Sequence, residues 1–100
     1  MLYPLILKIV AKPEEDWTLQ SMAAVCGISR ANFAKYFSNI AGFSATQFIL
    51  YYRVQLAQQY LAQGISIADC AEKVGYQSVA AFTRAFQRVT KKNPSQFIKN

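Results

Sequence analysis

Apolar residues in this chain recur at helical spacing, and the short breaks between them carry residues that start or stop helices. Leu5, Ile6, Ile9 and Val10 predict a first helix with Pro4 at its start, ended by Pro13. The acidic loop Glu14-Glu15-Asp16 leads to Thr18, a good N-cap for a short helix over Leu19 to Val25. Gly27 supplies a tight turn, because a missing Cβ permits positive φ between two packed helices. Ser29 caps a helix over about Arg30 to Ile40, and Gly42 ends it. Phe33, Phe37 and Ile40 share one face of it and are expected to pack inward. Ser44 and Gln47 then form a capping box that opens the longest helix, about Ala45 to Gln63, which Gly64 closes. Its expected apolar stripe is Phe48, Tyr52, Leu56 and Tyr60, supported by Ile49, Ala57 and Leu61. With no glycine or proline inside, this helix should be stiff, a connector rather than a reader.

The second half repeats the design. Ser66 caps Ile67 to Val74, Gly75-Tyr76-Gln77 turns the chain, and Ser78 caps Val79 to Thr90, with Phe82, Phe86 and Val89 inward. Asn93 caps a last short helix, with Pro94 in the first turn and Gln96 three residues after the cap. Thr18, Leu19, Ala23, Gly27, Phe33, Phe37, Gly42 and Phe48 thus correspond to Ser66, Ile67, Ala71, Gly75, Phe82, Phe86, Lys91 and Phe97, with one residue inserted just after Gly75. Each copy is a short helix, a glycine turn and a longer helix. That is the outline of a helix-turn-helix, a unit that presents its second helix to a DNA major groove. The expected fold is all-α, with about seven helices. Residues 1–43 form a first helix-turn-helix subdomain, 44–64 a linker helix, and 65–100 a second helix-turn-helix subdomain.

Composition agrees with a packed domain: 53% of the residues are hydrophobic and 14% aromatic. Charge placement says more than the net +6. The five acids, Glu14, Glu15, Asp16, Asp69 and Glu72, all fall before or within the short first helix of a repeat. From Leu19 to Ala68 the charges are Arg30, Lys35 and Arg53, and from Val74 onward they are Arg84, Arg88, Lys91, Lys92 and Lys99. A polyanion could approach both longer helices without meeting a like charge, whereas a merely solvated basic face would not be expected in both repeats. Cys26 and Cys70 sit at near-equivalent places beside apolar faces, and free buried thiols in a reducing compartment explain them better than a disulfide. No apolar run approaches the ~18 residues of a membrane span, and Lys8 and Lys12 break the pattern of a signal peptide, so a cytoplasmic location is expected.

The outward faces of the two longer helices carry the candidate chemistry. Arg30, Ala31, Ala34 and Lys35 face out on the first, and Val79, Ala80, Thr83 and Arg84, with Gln87, on the second. Arg84 suits a bidentate guanine contact and Lys35 a less oriented one. Ala31, Ala34, Val79, Ala80 and Thr83 can offer methyl contacts to thymine, the plainer alternative being tolerant surface. Asn32, Arg88, Lys91 and Lys92 suit phosphates, as do the helix starts capped by Ser29, Ser44 and Ser78. Arg53 is as well explained by an acid such as Asp69 as by DNA. With no histidine, no glycine-rich phosphate loop and no close set of metal ligands, neither an enzyme nor a metal or other cofactor is expected. The competing class is a protein-binding helical module without a DNA role. Its sign would be an exposed apolar face on the 30–40 or 79–90 helix.

Two runs of residues carry a family resemblance. Thr18-Leu19, Met22-Ala23, Gly27-Ile28-Ser29, Phe33, Phe37 and Gly42 resemble the first half of the AraC/XylS-type DNA-binding domain. Ile67-Ala68-Asp69, Ala71, Val74-Gly75-Tyr76, Ser78, Phe82-Thr83-Arg84-Ala85-Phe86, Asn93-Pro94 and Phe97 resemble its more diagnostic second half, and Arg53-Val54-Gln55-Leu56-Ala57 looks like its linker helix. The resemblance covers about residues 5–98. It implies seven helices and two helix-turn-helix units joined by a long helix, with recognition helices in neighbouring major-groove segments of duplex DNA. It also implies transcription regulation, usually activation through contact with RNA polymerase. Its base-contacting places fall on Ala31, Ala34, Lys35, Val79, Ala80, Thr83 and Arg84. A DNA-alkyl-accepting member would need a reactive cysteine near histidine or arginine, a setting that neither Cys26 nor Cys70 has. The departures are Ala45 for a usual proline, Lys91 for the glycine ending the second recognition helix, and Ile98 for a common arginine. Alanine and valine at several base-facing places lower the sequence discrimination expected. The effector or dimerisation domain that most members carry is missing, and the abrupt start favours a fragment over a stand-alone reader.

Overall fold

Local hydrogen bonding sets where the helices of this chain begin and end. The structure, a computed structural model, describes residues 2–98; Met1, Asn100 and Lys99, the last of the C-terminal cations, lie outside them. The described residues form six α-helices and a closing 3₁₀ helix, with no strand among them. The α-helices are α1 (Leu2–Ala11), α2 (Leu19–Cys26), α3 (Arg30–Ala41), α4 (Ala45–Ala62), α5 (Ile67–Val74) and α6 (Val79–Thr90), and the 3₁₀ helix is Pro94–Phe97. The Thr18 hydroxyl accepts from the Ser21 N–H while Ser21 Oγ accepts from the Thr18 N–H, a reciprocal box that starts α2. The Ser44 and Gln47 side chains do the same for α4. Ser66 Oγ takes the Asp69 N–H at the start of α5. Gly27, Gly42 and Gly75 end α2, α3 and α5 in the left-handed region, where a side chain would be strained. Lys91 takes the same conformation at the end of α6, with φ 64°.

The chain divides into two compact units, Met1–Ile49 and Leu50–Asn100. In the first, α1 packs on α2 and α2 on α3. Leu5, Ile9, Met22, Ala23, Phe33, Phe37, Ala45 and Ile49 are buried there. In the second, α5 packs on α6 and α6 on the 3₁₀ helix. Its core holds Val54, Ala57, Leu61, Cys70, Ala71, Val74, Phe82 and Phe86, with Val89, Phe97 and Ile98 packed against it. Phe86 meets Phe97 edge to face, ring centroids 5.0 Å apart. Ile98, standing where the family often has arginine, is therefore a core contact.

Three expectations need correction. Ile40 is 59% exposed rather than inward; it lies in the last turn of α3, next to the final residue Ala41. Phe43, just past the left-handed Gly42, lies beside Phe37, centroid to centroid 6.4 Å. On α1, Val10 is exposed in a row with Tyr3 and Leu7, while Leu5 and Ile9 alone are fully buried there. On α4 the buried positions are Ala45 and Ile49, then Val54, Ala57 and Leu61, whereas Phe48, Tyr52, Leu56 and Tyr60 are only half-buried. The helix is apolar on most of its sides, so the row that packs is set by its neighbours. Cys26 is half-buried, not buried, and neither cysteine is in a disulfide.

Candidate nucleic-acid interface

Each unit holds a glycine turn between a short helix and the longer helix that follows it, Gly27 between α2 and α3 and Gly75 between α5 and α6. In the first, two residues separate the left-handed Gly27 from Arg30, with Ser29 extended and its Oγ accepting from the Asn32 N–H at 3.1 Å. In the second, Tyr76, Gln77 and Ser78 separate Gly75 from Val79, and Ser78 Oγ accepts from the Ala81 N–H at 3.0 Å. The extra residue of the second repeat thus sits in the turn and leaves the cap unchanged. Each cap uses one of the N–H groups of the first turn, so Ser29 and Ser78 define where the longer helices begin.

Helix periodicity then sorts the sequence-predicted residues. On α3, Ala31, Ala34 and Lys35 lie together on the side away from Phe33 and Phe37. Arg30, Ala31, Asn32 and Lys35 are exposed and Ala34 is half-buried. On α6, Val79, Ala80, Thr83 and Arg84 line the side opposite Phe82 and Phe86, all exposed except the half-buried Thr83. Arg88, Lys91 and Lys92 are exposed at the far end. Ser44 is not part of either longer helix; it caps α4.

The end of α6 is tied more tightly than its sequence suggests. Thr90 Oγ1 donates to the Phe86 carbonyl and accepts from the Lys92 N–H, at 2.9 and 3.1 Å. The Lys91 N–H closes onto the Gln87 carbonyl at 2.8 Å, and Lys91 Nζ donates to the Arg88 carbonyl at 3.2 Å. Gln87 Nε2 donates to Asn93 Oδ1, and the Asn93 N–H is held by Gln96 Oε1 at 2.8 Å. Gln87 and Asn93 were legible as an outward residue and a cap, but their contact joins residues six apart across a helix end, which periodicity does not show.

Arg53 finds an aromatic partner. Its guanidinium lies 5.5 Å from the Tyr76 ring centroid, and both belong to the second unit. Burial pushes the Tyr76 phenol up, opposed by the charge and hydrogen bond of Arg53 and by the charge of Arg88. Burial also pushes the Cys70 thiol up to about 11, and its Sγ donates to the Ala57 carbonyl at 3.6 Å. A thiol held neutral in this way is a poor nucleophile. Among the described residues no three His, Cys, Asp or Glu side chains gather as a metal site, and no helix is long and apolar enough to cross a membrane.

Comparison with known proteins agrees with this geometry. A family model described as a helix-turn-helix domain matches residues 22–100. The HTH-type transcriptional regulator AlkR of Acinetobacter baylyi is 37% identical over 90 residues, covering 89% of this chain and 29% of that protein. This chain therefore spans less than a third of that relative's length. Among solved structures, the DNA-binding domain of the global transcriptional factor AdpA in complex with a target DNA superposes with a TM-score of 0.89 at 24% identity, covering 96% of this chain and 87% of that one. An AraC-type DNA-binding domain-containing regulator from Chromobacterium violaceum gives 0.83 at 23% identity, with 96% and 87% coverage. Two capped helix-turn-helix units, the matched family and these likenesses lead to one assignment: the chain belongs to the AraC-type family of helix-turn-helix transcription regulators.

Proposed function

We propose that this chain binds duplex DNA in a sequence-dependent manner, with α3 and α6 each entering a major-groove segment, and that it does so as the reading part of a cytoplasmic transcription regulator. The observation that carries this is the repeated unit whose capped longer helix turns its aromatic residues inward and an acid-free, cation-bearing face outward. Arg84 reads guanine by a bidentate contact and Lys35 makes a less oriented one. Arg30, Ala31, Ala34, Val79, Ala80 and Thr83 complete the base-facing surfaces. Ser29, Asn32, Ser44, Ser78, Arg88, Lys91 and Lys92, with the N–H groups of the capped helix starts, contact phosphates and set register. Because the two readers are in tandem on one chain, the site is non-palindromic and is covered by a monomer, with the two groove segments about 34 Å apart.

The rival reading as a protein-binding module is the weaker one. Large apolar side chains exposed on the two helices are Ile40 at 59% and Val79 at 44%, one at the end of α3 and one at the start of α6, and neither makes a face. Regulation further involves contact with RNA polymerase, as the family resemblance implies, and a separate effector or dimerisation domain. The test is duplex binding by fluorescence anisotropy across a salt series, followed by footprinting. Sequence-dependent binding that weakens with salt and protects two groove segments is expected. Failure to bind duplex DNA at low salt, a single protected segment or an obligatory dimer would each contradict the proposal.

A further inference from the structure

We infer that Gln87 is an adenine-reading residue of α6 and that Asn93 is the positioning residue that holds it in reading geometry. The inference rests on the proposal that α6 lies in a major groove. Gln87 stands one helical turn beyond Thr83 and Arg84, on the same outward face, about 4.5 Å further along the axis than Arg84. It is exposed, as is Asn93. A glutamine amide carries two N–H donors and one acceptor oxygen. Its Nε2 gives one proton to Asn93 Oδ1. One N–H and the Oε1 acceptor remain for a base edge. That pair matches adenine in the major groove, where N7 accepts and the N6 amino group donates. Guanine offers two acceptors there and would leave Oε1 facing an oxygen.

Asn93 is itself held. Its N–H donates to Gln96 Oε1, and the Gln96 N–H returns to the Asn93 carbonyl at 3.0 Å, so the backbone that carries the acceptor side chain is set by the turn into the 3₁₀ helix. The left-handed Lys91 brings that turn back along α6, where Asn93 can reach the side chain of Gln87. A long side chain already held in one orientation loses less rotamer freedom when it binds, and its donor and acceptor present themselves in a set order.

The experiment scans a DNA site, selected with the wild-type chain from random duplexes, by replacing each adenine in turn with 7-deazaadenine, which lacks the N7 acceptor. Wild-type protein is expected to lose about fivefold or more in affinity at one adenine of the α6 half. Gln87→Ala, on an exposed position of a good helix, should fold normally and be indifferent to that replacement. Asn93→Ala should show a reduced ratio of adenine to 7-deazaadenine affinity, and Asn93→Asp, which keeps an acceptor oxygen, should restore it. The ratio cancels the general weakening caused by the added acid. Circular dichroism of each variant confirms the fold. If Gln87→Ala remains as sensitive as wild type at every adenine, Gln87 does not read one. An unchanged ratio in Asn93→Ala overturns the positioning role. A wild-type chain that selects no sequence at all would instead remove the DNA-reading proposal, with Arg84→Ala then also without effect on preference.

Discussion

Gly42 and Lys91 occupy equivalent places at the ends of α3 and α6, both in the left-handed conformation, and Lys91 has φ 64°. An L-residue there carries a strain of about 1–2 kcal/mol that glycine does not. Exchanging Lys91 for glycine relieves that strain, but the freer unfolded chain takes back about 0.4–1 kcal/mol. Losing a cation at a helix C-terminus, where Lys91 Nζ now meets the Arg88 carbonyl, removes about 0.3 kcal/mol more. Lys91→Gly should therefore stabilise the second unit by about 0.5 kcal/mol, or about 2–4 °C in Tm for a chain of this size. The mirror change, Gly42→Ala, meets no atom within 4 Å of the new Cβ, so its effect is conformational alone. It should destabilise by about 0.5–1 kcal/mol, the strain less the reduced freedom of the unfolded chain. Calorimetry on the three proteins reads both signs. DNA binding should move the other way for Lys91→Gly: weaker on all sequences, with the salt slope lower by about 0.9 if Lys91 neutralises one phosphate. A lower Tm for Lys91→Gly would refute the strain argument, and an unchanged salt slope would take Lys91 out of the phosphate set.

Other expectations test separate parts of the reading. Arg84→Ala should lose about 1–3 kcal/mol on the preferred site and relax choice at one position, whereas Lys92→Ala should weaken all duplexes alike; equal losses by Arg84→Ala on preferred and random DNA would contradict base reading. Ser78→Ala should lose about 1 kcal/mol of stability with the cap to the Ala81 N–H, while Ser78→Asp should keep the cap yet bind DNA less well, since it places an acid at the start of α6. Equal stability of wild type and Ser78→Ala would show the cap to be idle. The Cys70 thiol is raised from 9.0 to about 11, so the unfolded chain releases that proton first and stability should fall as pH rises from about 9 to 11. Denaturant midpoints in that window should fall more steeply for wild type than for Cys70→Ala, and parallel curves would count against the burial of the thiol. A thiol reagent at neutral pH should reach the half-buried Cys26 well before Cys70.

The sequence by itself determined the helices, their order and the repeat. Thr18, Ser29, Ser66 and Ser78 each bind an N–H three residues on, and Gly27, Gly42 and Gly75 each end a helix by their own backbone freedom. Such signals are complete within a few residues, which is why α5 and α6 run over the ranges their caps predict. The inward phenylalanines and the outward face of Arg84 were legible for the same reason, because periodicity alone fixes which residues share a side. Tertiary structure decided what packs against those sides. On α4, apolar almost all round, spacing could not choose between the row of Phe48 and Tyr52 and the row of Val54, Ala57 and Leu61; the neighbouring helices bury the latter in the second unit. Phe43, past the left-handed Gly42, lies beside Phe37 while Ile40 is exposed, and the direction of that turn is not written in any apolar pattern. Arg53 over Tyr76 joins distant elements and exists only once they have been brought together, and Gln87 held by Asn93 crosses a helix end, beyond what the periodicity of one helix shows.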